Sequence, residues 1–314
     1  MKKTLAMAAV IACFPLVFSA CANENKAAAV SKAATTQKTT TVNTQETKAP
    51  EVKKTEPQAP ANKQGKPKFI IANKDLSNLQ LDDPTIPVYD LLSVEERRAQ
   101  GLPTRLPELK PYNKGKVAYL TFDDGPDDKN TEAVLDILKQ ENVKGTFYVL
   151  GSYCYNYPQT LTRMINEGHA IGNHSFSHEY DRLYPSINGF MSEMYATEKV
   201  EREIIGFRSF IIRAPGGKYS QFTSEYPPAL KAAGLIEHDW NVCIDDAVGG
   251  HPTAADFVQK VDQQTADGKS SAIVLMHSTY GKEETVKALP QIIQLLRDRG
   301  YIFGVVTPMT PQPW

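Results

Sequence analysis

From position 116 onward, short apolar runs alternate with amphipathic stretches, and this alternation limits the fold more than any other feature of the chain. The apolar runs fall near 117–122, 145–150, 169–173, 210–213, 235–242, 272–276 and 302–307. Between them, stretches such as 131–140, 190–205 and 283–299 repeat apolar residues at helical spacing. Strand–helix alternation predicts an α/β fold, a parallel sheet with helices packed outside it. Seven strands within residues 113–314 fit a closed, somewhat irregular barrel or an open doubly wound sheet. In either case function gathers at the carboxyl ends of the strands.

The chain before this region has a different character. Residues 69–112 are rich in Pro and Leu, and Ser93 with Glu96 forms a capping box for a short helix that stops near Gly101. This segment is expected to be an N-terminal extension packed on the main domain. Residues 22–68 hold no Leu, Ile, Met or aromatic residue, only three Val, nine Lys and four Glu. Such a stretch cannot bury enough apolar surface to offset its ordering entropy, so a disordered tether is expected. Residues 1–21 carry Lys2, Lys3 and an apolar run over 5–17 that is too short to remain as a membrane span. They read as an export signal. The closing Phe18-Ser19-Ala20-Cys21 resembles the lipobox of a bacterial lipoprotein, which would make Cys21 a lipidated N-terminus. Simple secretion with cleavage near Ala20 is the other reading. A lipid on Cys21 would leave the folded body anchored to a membrane, facing the periplasm or the cell exterior, with the tether setting its reach.

The net charge is −1, but the tether is basic, so the remainder is acidic and offers no field for nucleic acid. No protein partner is implied. Cys154 and Cys243 remain in the folded part, and a disulfide or two free thiols fit the sequence equally.

Polar residues gather where the strands are expected to end. The first strand runs into T-F-D-D-G-P (121–126), the third into H-S-F-S-H (174–178) and the fourth into R-A-P-G-G (213–217). The fifth leads to Asp245-Asp246, and the sixth ends at His277. His174 and His178 stand four apart, so on a helical turn both imidazoles would face one way and share a metal. A second carboxylate-rich segment sharpens this. One of Asp123 and Asp124 can complete a His-His-Asp site, and the other can act as a general base. Hydrolysis of an unactivated amide needs that division of labour, plus an acid to protonate the departing amine, a role His277 suits by residue type. Arg213 would hold the base ionised and aimed, and Gly216 permits a backbone N–H to face a developing oxyanion. His169, His238 and His251 have no such setting and are read as structural or surface residues. Tyr153, Tyr155 and Tyr157 are candidates for lining a sugar groove.

Taken in order, T-F-D-D-G-P, H-S-F-S-H, R-A-P-G-G, W-N-V-C-I-D-D-A (240–247) and L-M-H (275–277) resemble the polysaccharide deacetylases, carbohydrate esterase family 4 with its NodB-like domain. The resemblance covers roughly 113–314. It implies a distorted (β/α) barrel of about seven parallel strands that removes acetyl groups from an extracellular polysaccharide. Peptidoglycan or N-acetylglucosamine polymers are favoured. An acetyl-xylan esterase on the same site, or a catalytically silent glycan-binding lipoprotein, are the alternatives. It further implies Asp123 as general base, Arg213 as its partner, Gly216 as oxyanion donor, and His277 as general acid oriented by Asp246. Asp124, His174 and His178 would hold one divalent metal, zinc first and cobalt, manganese or nickel next. The chain departs from the pattern at Cys243, Ala247 and Ser278, which bears on the tuning of His277 and the shape of the groove.

Overall fold

A computed structural model describes residues 68–219 and 221–313. The expected signal over 1–21, with Cys21, and nearly all of the expected tether lie outside these residues. In chain order the first elements are β1 (Ile70–Ala72), β2 (Val88–Asp90), α1 (Val94–Ala99), β3 (Val117–Asp123), α2 (Asn130–Gln140) and β4 (Thr146–Val149). Then follow α3 (Gly151–Asn156), α4 (Pro158–Asn166), β5 (Ala170–Asn173), α5 (Tyr180–Leu183), α6 (Ile187–Ile205), β6 (Arg208–Ser209) and β7 (Ile211–Ile212). The remainder are α7 (Tyr226–Ala232), β8 (Ile236–Glu237), β9 (Val242–Cys243), α8 (Ala254–Gln264), β10 (Ser271–His277), α9 (Glu283–Asp298) and β11 (Ile302–Gly304).

The main sheet is parallel and runs β8-β7-β5-β4-β3-β10-β9, with β11 beside the first half of β3. β3 pairs with β11 through 117–119 and with β4 only through 121–123. β11 therefore stands where β4 has splayed away from β3, and the Val306 N–H reaches the Thr146 hydroxyl of β4 across that opening. The result is a distorted, curled half-barrel, the fold that the family resemblance implied. One apolar run is divided. Residues 235–242, read as a single strand, form β8 at one end of the sheet and β9 at the other. The chain leaves the ladder at His238-Asp239, where both backbone carbonyls accept from the buried Arg213 at the barrel mouth.

Period-two alternation sorts each strand's side chains. Ala118, Leu120 and Phe122 of β3 join Phe147, Val274 and Met276 in the core under the helices. Val117 and Tyr119 of β3 instead pack with Tyr148, Ile211 and Ile273 in a smaller inner cluster. Leu120 is fully buried, so truncation to Ala should cost about 2–5 kcal/mol. The same alternation continues to Thr121 and Asp123, which places both on the inner face at the mouth.

Residues 68–112 add a second, three-stranded sheet, β1-β2-β6, in which β2 runs antiparallel to β6. The predicted capping box at α1 is present, with Ser93 and Glu96 bonded reciprocally. Asp90 of β2 is wholly buried and takes Arg97 at 2.6 Å and Arg208 at 2.8 Å. Two guanidiniums on one carboxylate satisfy charges that burial would otherwise make very costly. Cys154 and Cys243 are free thiols, Cys154 buried.

Candidate functional site

Register brings the first two candidates together. β3 and β10 pair in parallel with His277 directly opposite Asp123. Both side chains are on the inner face, because His277 continues the alternation of Ile273 and Leu275. The neighbouring pair Asp123–Tyr148 on β4 then sets an aromatic wall beside the carboxylate.

Asp123 is buried and its Oδ1 accepts from Arg213 Nη1 at 2.9 Å. Arg213 has no freedom: Nη1 also reaches Thr121 at 2.7 Å, Nε the His238 carbonyl at 2.9 Å, and Nη2 the Asp239 carbonyl at 3.2 Å. Its guanidinium lies 4.2 Å from the centre of the Tyr148 ring. Burial works against the charge on Arg213, but Asp123 beside it more than offsets this and raises its pKa.

Asp124 turns the opposite way with a positive φ of 68°, a conformation in which Asp is tolerated better than most residues. Its Oδ1 lies 3.4 Å from His174 Nε2 and 3.5 Å from His178 Nε2. That oxygen is buried and has no hydrogen-bond partner among the described residues. The three ligand atoms lie within 4.8 Å of one another. Ligands about 2.1 Å from a tetrahedral zinc stand about 3.4 Å apart, so the spacing and the orphaned oxygen fit a divalent ion. His174 Nδ1 pairs with the Arg213 carbonyl at 2.8 Å, which makes it the N–H of the neutral ring and leaves Nε2 bare for a metal. Burial opposes the charge on Asp124, but the imidazoles outweigh it and hold the carboxyl well below its usual range. His178 is pushed down by burial and by His174.

The histidine pair is not on a helix. Residues 174–179 form a loop between β5 and α5, and the helical-turn expectation is corrected accordingly. Ser175 and His178 have φ of 95° and 61°, a region that costs non-glycine residues about 1–3 kcal/mol each. Two local clamps hold them. Asn173 Oδ1 accepts the Ser175 N–H and the Ser175 hydroxyl accepts the His178 N–H, both at 3.0 Å. Glu193 Oε2, reaching in from α6, accepts Phe176 N–H, Ser177 N–H and the Ser177 hydroxyl. The positive φ at Ser175 and His178, held by these bonds, takes the segment out of the right-handed helical region. Glu193 was not among the sequence candidates. A charge at a core-facing position of α6, between Phe190 and Thr197, is the signal that marks it.

His277 Nδ1 pairs with Asp246 Oδ1 at 2.7 Å, and the His277 backbone N–H donates to Asp246 Oδ2 at 2.9 Å. Thr285 of α9 donates to the same Oδ2 at 2.7 Å. Burial alone would lower the His277 pKa, but the Asp246 hydrogen bond and charge reverse this and raise it. Its free Nε2 faces Asp124 Oδ2 at 3.9 Å.

The departures resolve individually. Asp245 turns away and pairs with Lys260 at 2.7 Å, so it does not stand in for the residue at 243. The Cys243 backbone is tied to Gln264 in both directions. The Ser278 N–H donates to the Asp123 carbonyl at 3.2 Å, and Ala247 is exposed. His169 is buried against Gly145 N–H, and His238, also buried, is pushed down to about 4 by that burial. His251 is exposed in the loop after β9. Of the tyrosines, Tyr155 bonds Glu203 and Tyr157 meets Tyr280, a residue the sequence reading did not single out, at 2.8 Å.

Comparison with known proteins points to a single family. A family profile described as polysaccharide deacetylase matches residues 110–235. A Bacillus cereus protein named peptidoglycan-N-acetylglucosamine deacetylase is 34% identical over 201 residues, covering 63% of this chain and 70% of that one. The crystal structure of the polysaccharide deacetylase Bc1974 from Bacillus cereus superposes with a TM-score of 0.58 at 30% identity, covering 62% of this chain and 94% of its own. A Streptococcus mutans CE4 esterase gives the same TM-score of 0.58 at 34% identity, with 68% and 91% covered.

Proposed function

The chain belongs to the polysaccharide deacetylase family, and from that premise we propose that it removes acetyl groups from N-acetylglucosamine units of cell-wall peptidoglycan. The activity named for the Bacillus cereus relative supports the polymer. The observation that carries the reading is the meeting, at one mouth, of an Asp-His-His cluster with an arginine-paired Asp123 and an aspartate-paired His277.

In this reading Asp123, aimed by Arg213, takes a proton from the attacking water as its oxygen bonds to the acetyl carbon. The Gly216 N–H steadies the oxygen that gains charge. His277, whose Nδ1–H is fixed by Asp246, gives the Nε2 proton to the sugar nitrogen as the C–N bond breaks. Acetate and a free amine result. Asp124, His174 and His178 would hold one divalent ion, zinc suiting two imidazoles and a carboxylate best, with cobalt, manganese or nickel accepted by the same set. When bound, that ion supplies Lewis-acid polarisation of the acetyl oxygen.

The remaining parts of the chain complete the proposal. Residues 1–21 are an export signal, Cys21 carries the lipid anchor, 22–68 form the tether, 69–112 the extension and 113–314 the catalytic domain. Acetate release from peptidoglycan, chitooligosaccharides and acetyl-xylan, assayed side by side with metal supplied, tests the function. No acetate from any of them would sink it, and release from acetyl-xylan alone would reassign the substrate. Incorporation of a labelled fatty acid that survives Cys21→Ser would sink the anchor.

A further inference from the structure

Gly216 and Tyr180 come from different loops and meet beside the Asp-His-His cluster. A Cβ placed on Gly216 would stand 2.4 Å from Tyr180 Oη, whereas the next atoms of that ring are 3.4 and 3.5 Å away. The hydroxyl therefore fills the space that a side chain at 216 would need. The Tyr180 ring is set by edge contact with His178 at 5.7 Å and by Tyr184 at 5.4 Å, and Tyr184 in turn bonds the Pro215 carbonyl at 2.6 Å. Both tyrosines thus brace the 213–217 loop. Among the described residues neither the Tyr180 hydroxyl nor the Gly216 N–H donates a hydrogen bond. Both residues are exposed, Tyr180 by 43%. Two unspent donors, side by side and open to a bound molecule, form the kind of site that receives an oxygen gaining negative charge.

We propose that Tyr180 is a second oxyanion donor, its hydroxyl acting with the Gly216 N–H on the acetyl oxygen. The inference rests on the deacetylase reading. It makes Tyr180 a catalytic residue that touches the reacting group and transfers no proton.

Tyr180→Phe keeps the ring and its contacts and removes only the donor. On metal-loaded full-length protein with a chitooligosaccharide, kcat should fall about 100-fold, the lower end for loss of an oxyanion donor, with KM and bound metal unchanged. Affinity for a methylphosphonamidate of the glucosamine oligomer, a charged tetrahedral mimic, should weaken by a similar factor. Affinity for the deacetylated oligomer should not change. A wild-type kcat in Tyr180→Phe overturns the proposal, as does equal loss of affinity for mimic and product, which would make Tyr180 a stacking residue. A second arm needs no turnover. Gly216→Ala should lower the melting temperature less in the Tyr180→Phe background than in the wild type, because the obstructing oxygen is gone. Equal losses would mean the hydroxyl does not stand against Gly216. Absence of turnover in the wild type would instead sink the deacetylase reading, leaving the thermal comparison to judge Tyr180.

Discussion

Replacing Glu193 with Ala should weaken metal binding although Glu193 touches no proposed ligand. Three donors of the loop between His174 and His178 converge on one oxygen, at 3.1, 2.7 and 2.9 Å. Hydrogen bonds to a charged acceptor contribute about 1.5–3 kcal/mol each, so the clamp outweighs the strain at Ser175 and His178. Without it the loop relaxes, and restoring the ligand geometry must be driven by the metal. If that restoration costs about 1.4–2.8 kcal/mol, affinity falls about 10- to 100-fold, the range seen when residues supporting ligands are lost. Glu193→Gln keeps an acceptor oxygen and should cost less than about fivefold on the same argument. Competition with a chelating dye measures both constants, and the melting temperature verifies that each variant is folded. A folded Glu193→Ala protein binding metal within twofold of wild type would refute the reasoning.

Other substitutions separate the roles within the mouth. Asp123→Asn should retain metal and lose most turnover, whereas Asp124→Asn should lose metal; the opposite pattern would mean the two carboxylates are exchanged. His277→Ala should keep its metal and lose about 100- to 10,000-fold in turnover, and loss of metal there would place His277 among the ligands. Glu201, wholly buried on α6, is pushed up to about 7 by burial, against the two hydrogen bonds from Ser209. Its folded pKa lies above the ordinary value of 4.5, so its contribution is fully present below about pH 4.5 and lost as pH rises through about 7. Glu201→Gln should remove that slope, up to about 3 kcal/mol, and thermal melts of both proteins between pH 5 and 8 that run parallel would refute it.

Much of the site was legible because its chemistry sits at strand ends in short, ordered motifs. Asp123, Asp124, His174, His178, Arg213 and His277 are each marked by residue type and by the apolar run before them. The supporting residues are less visible. Glu193 lies fifteen residues beyond His178 on another element, and only its place on the buried face of α6 hints at a role. Helical spacing misled at the histidine pair, because four-residue spacing also results from a loop clamped by side chains. The split of 235–242 was hidden for a related reason: apolar residues flank His238-Asp239, and only the tertiary demand of Arg213 for carbonyl partners breaks the run. The small sheet of β1, β2 and β6 joins the N-terminal extension to a strand more than a hundred residues further on, which no local pattern reports.

The pairing of His277 with Asp123 has a consequence for how such a chain can change length over generations. Parallel strands carry their side chains alternately to opposite faces, so one residue added or lost within β10 would send the imidazole toward Met276's neighbours under the helices and bring an apolar side chain to the mouth. No nearby adjustment recovers this, because the ladder spans all of 271–277. Added length is tolerated instead in connections beyond the strand ends, such as 247–253, where the backbone can lengthen without turning either group around. Change in length is thereby channelled into the rim while the facing pair of Asp123 and His277 stays as it is.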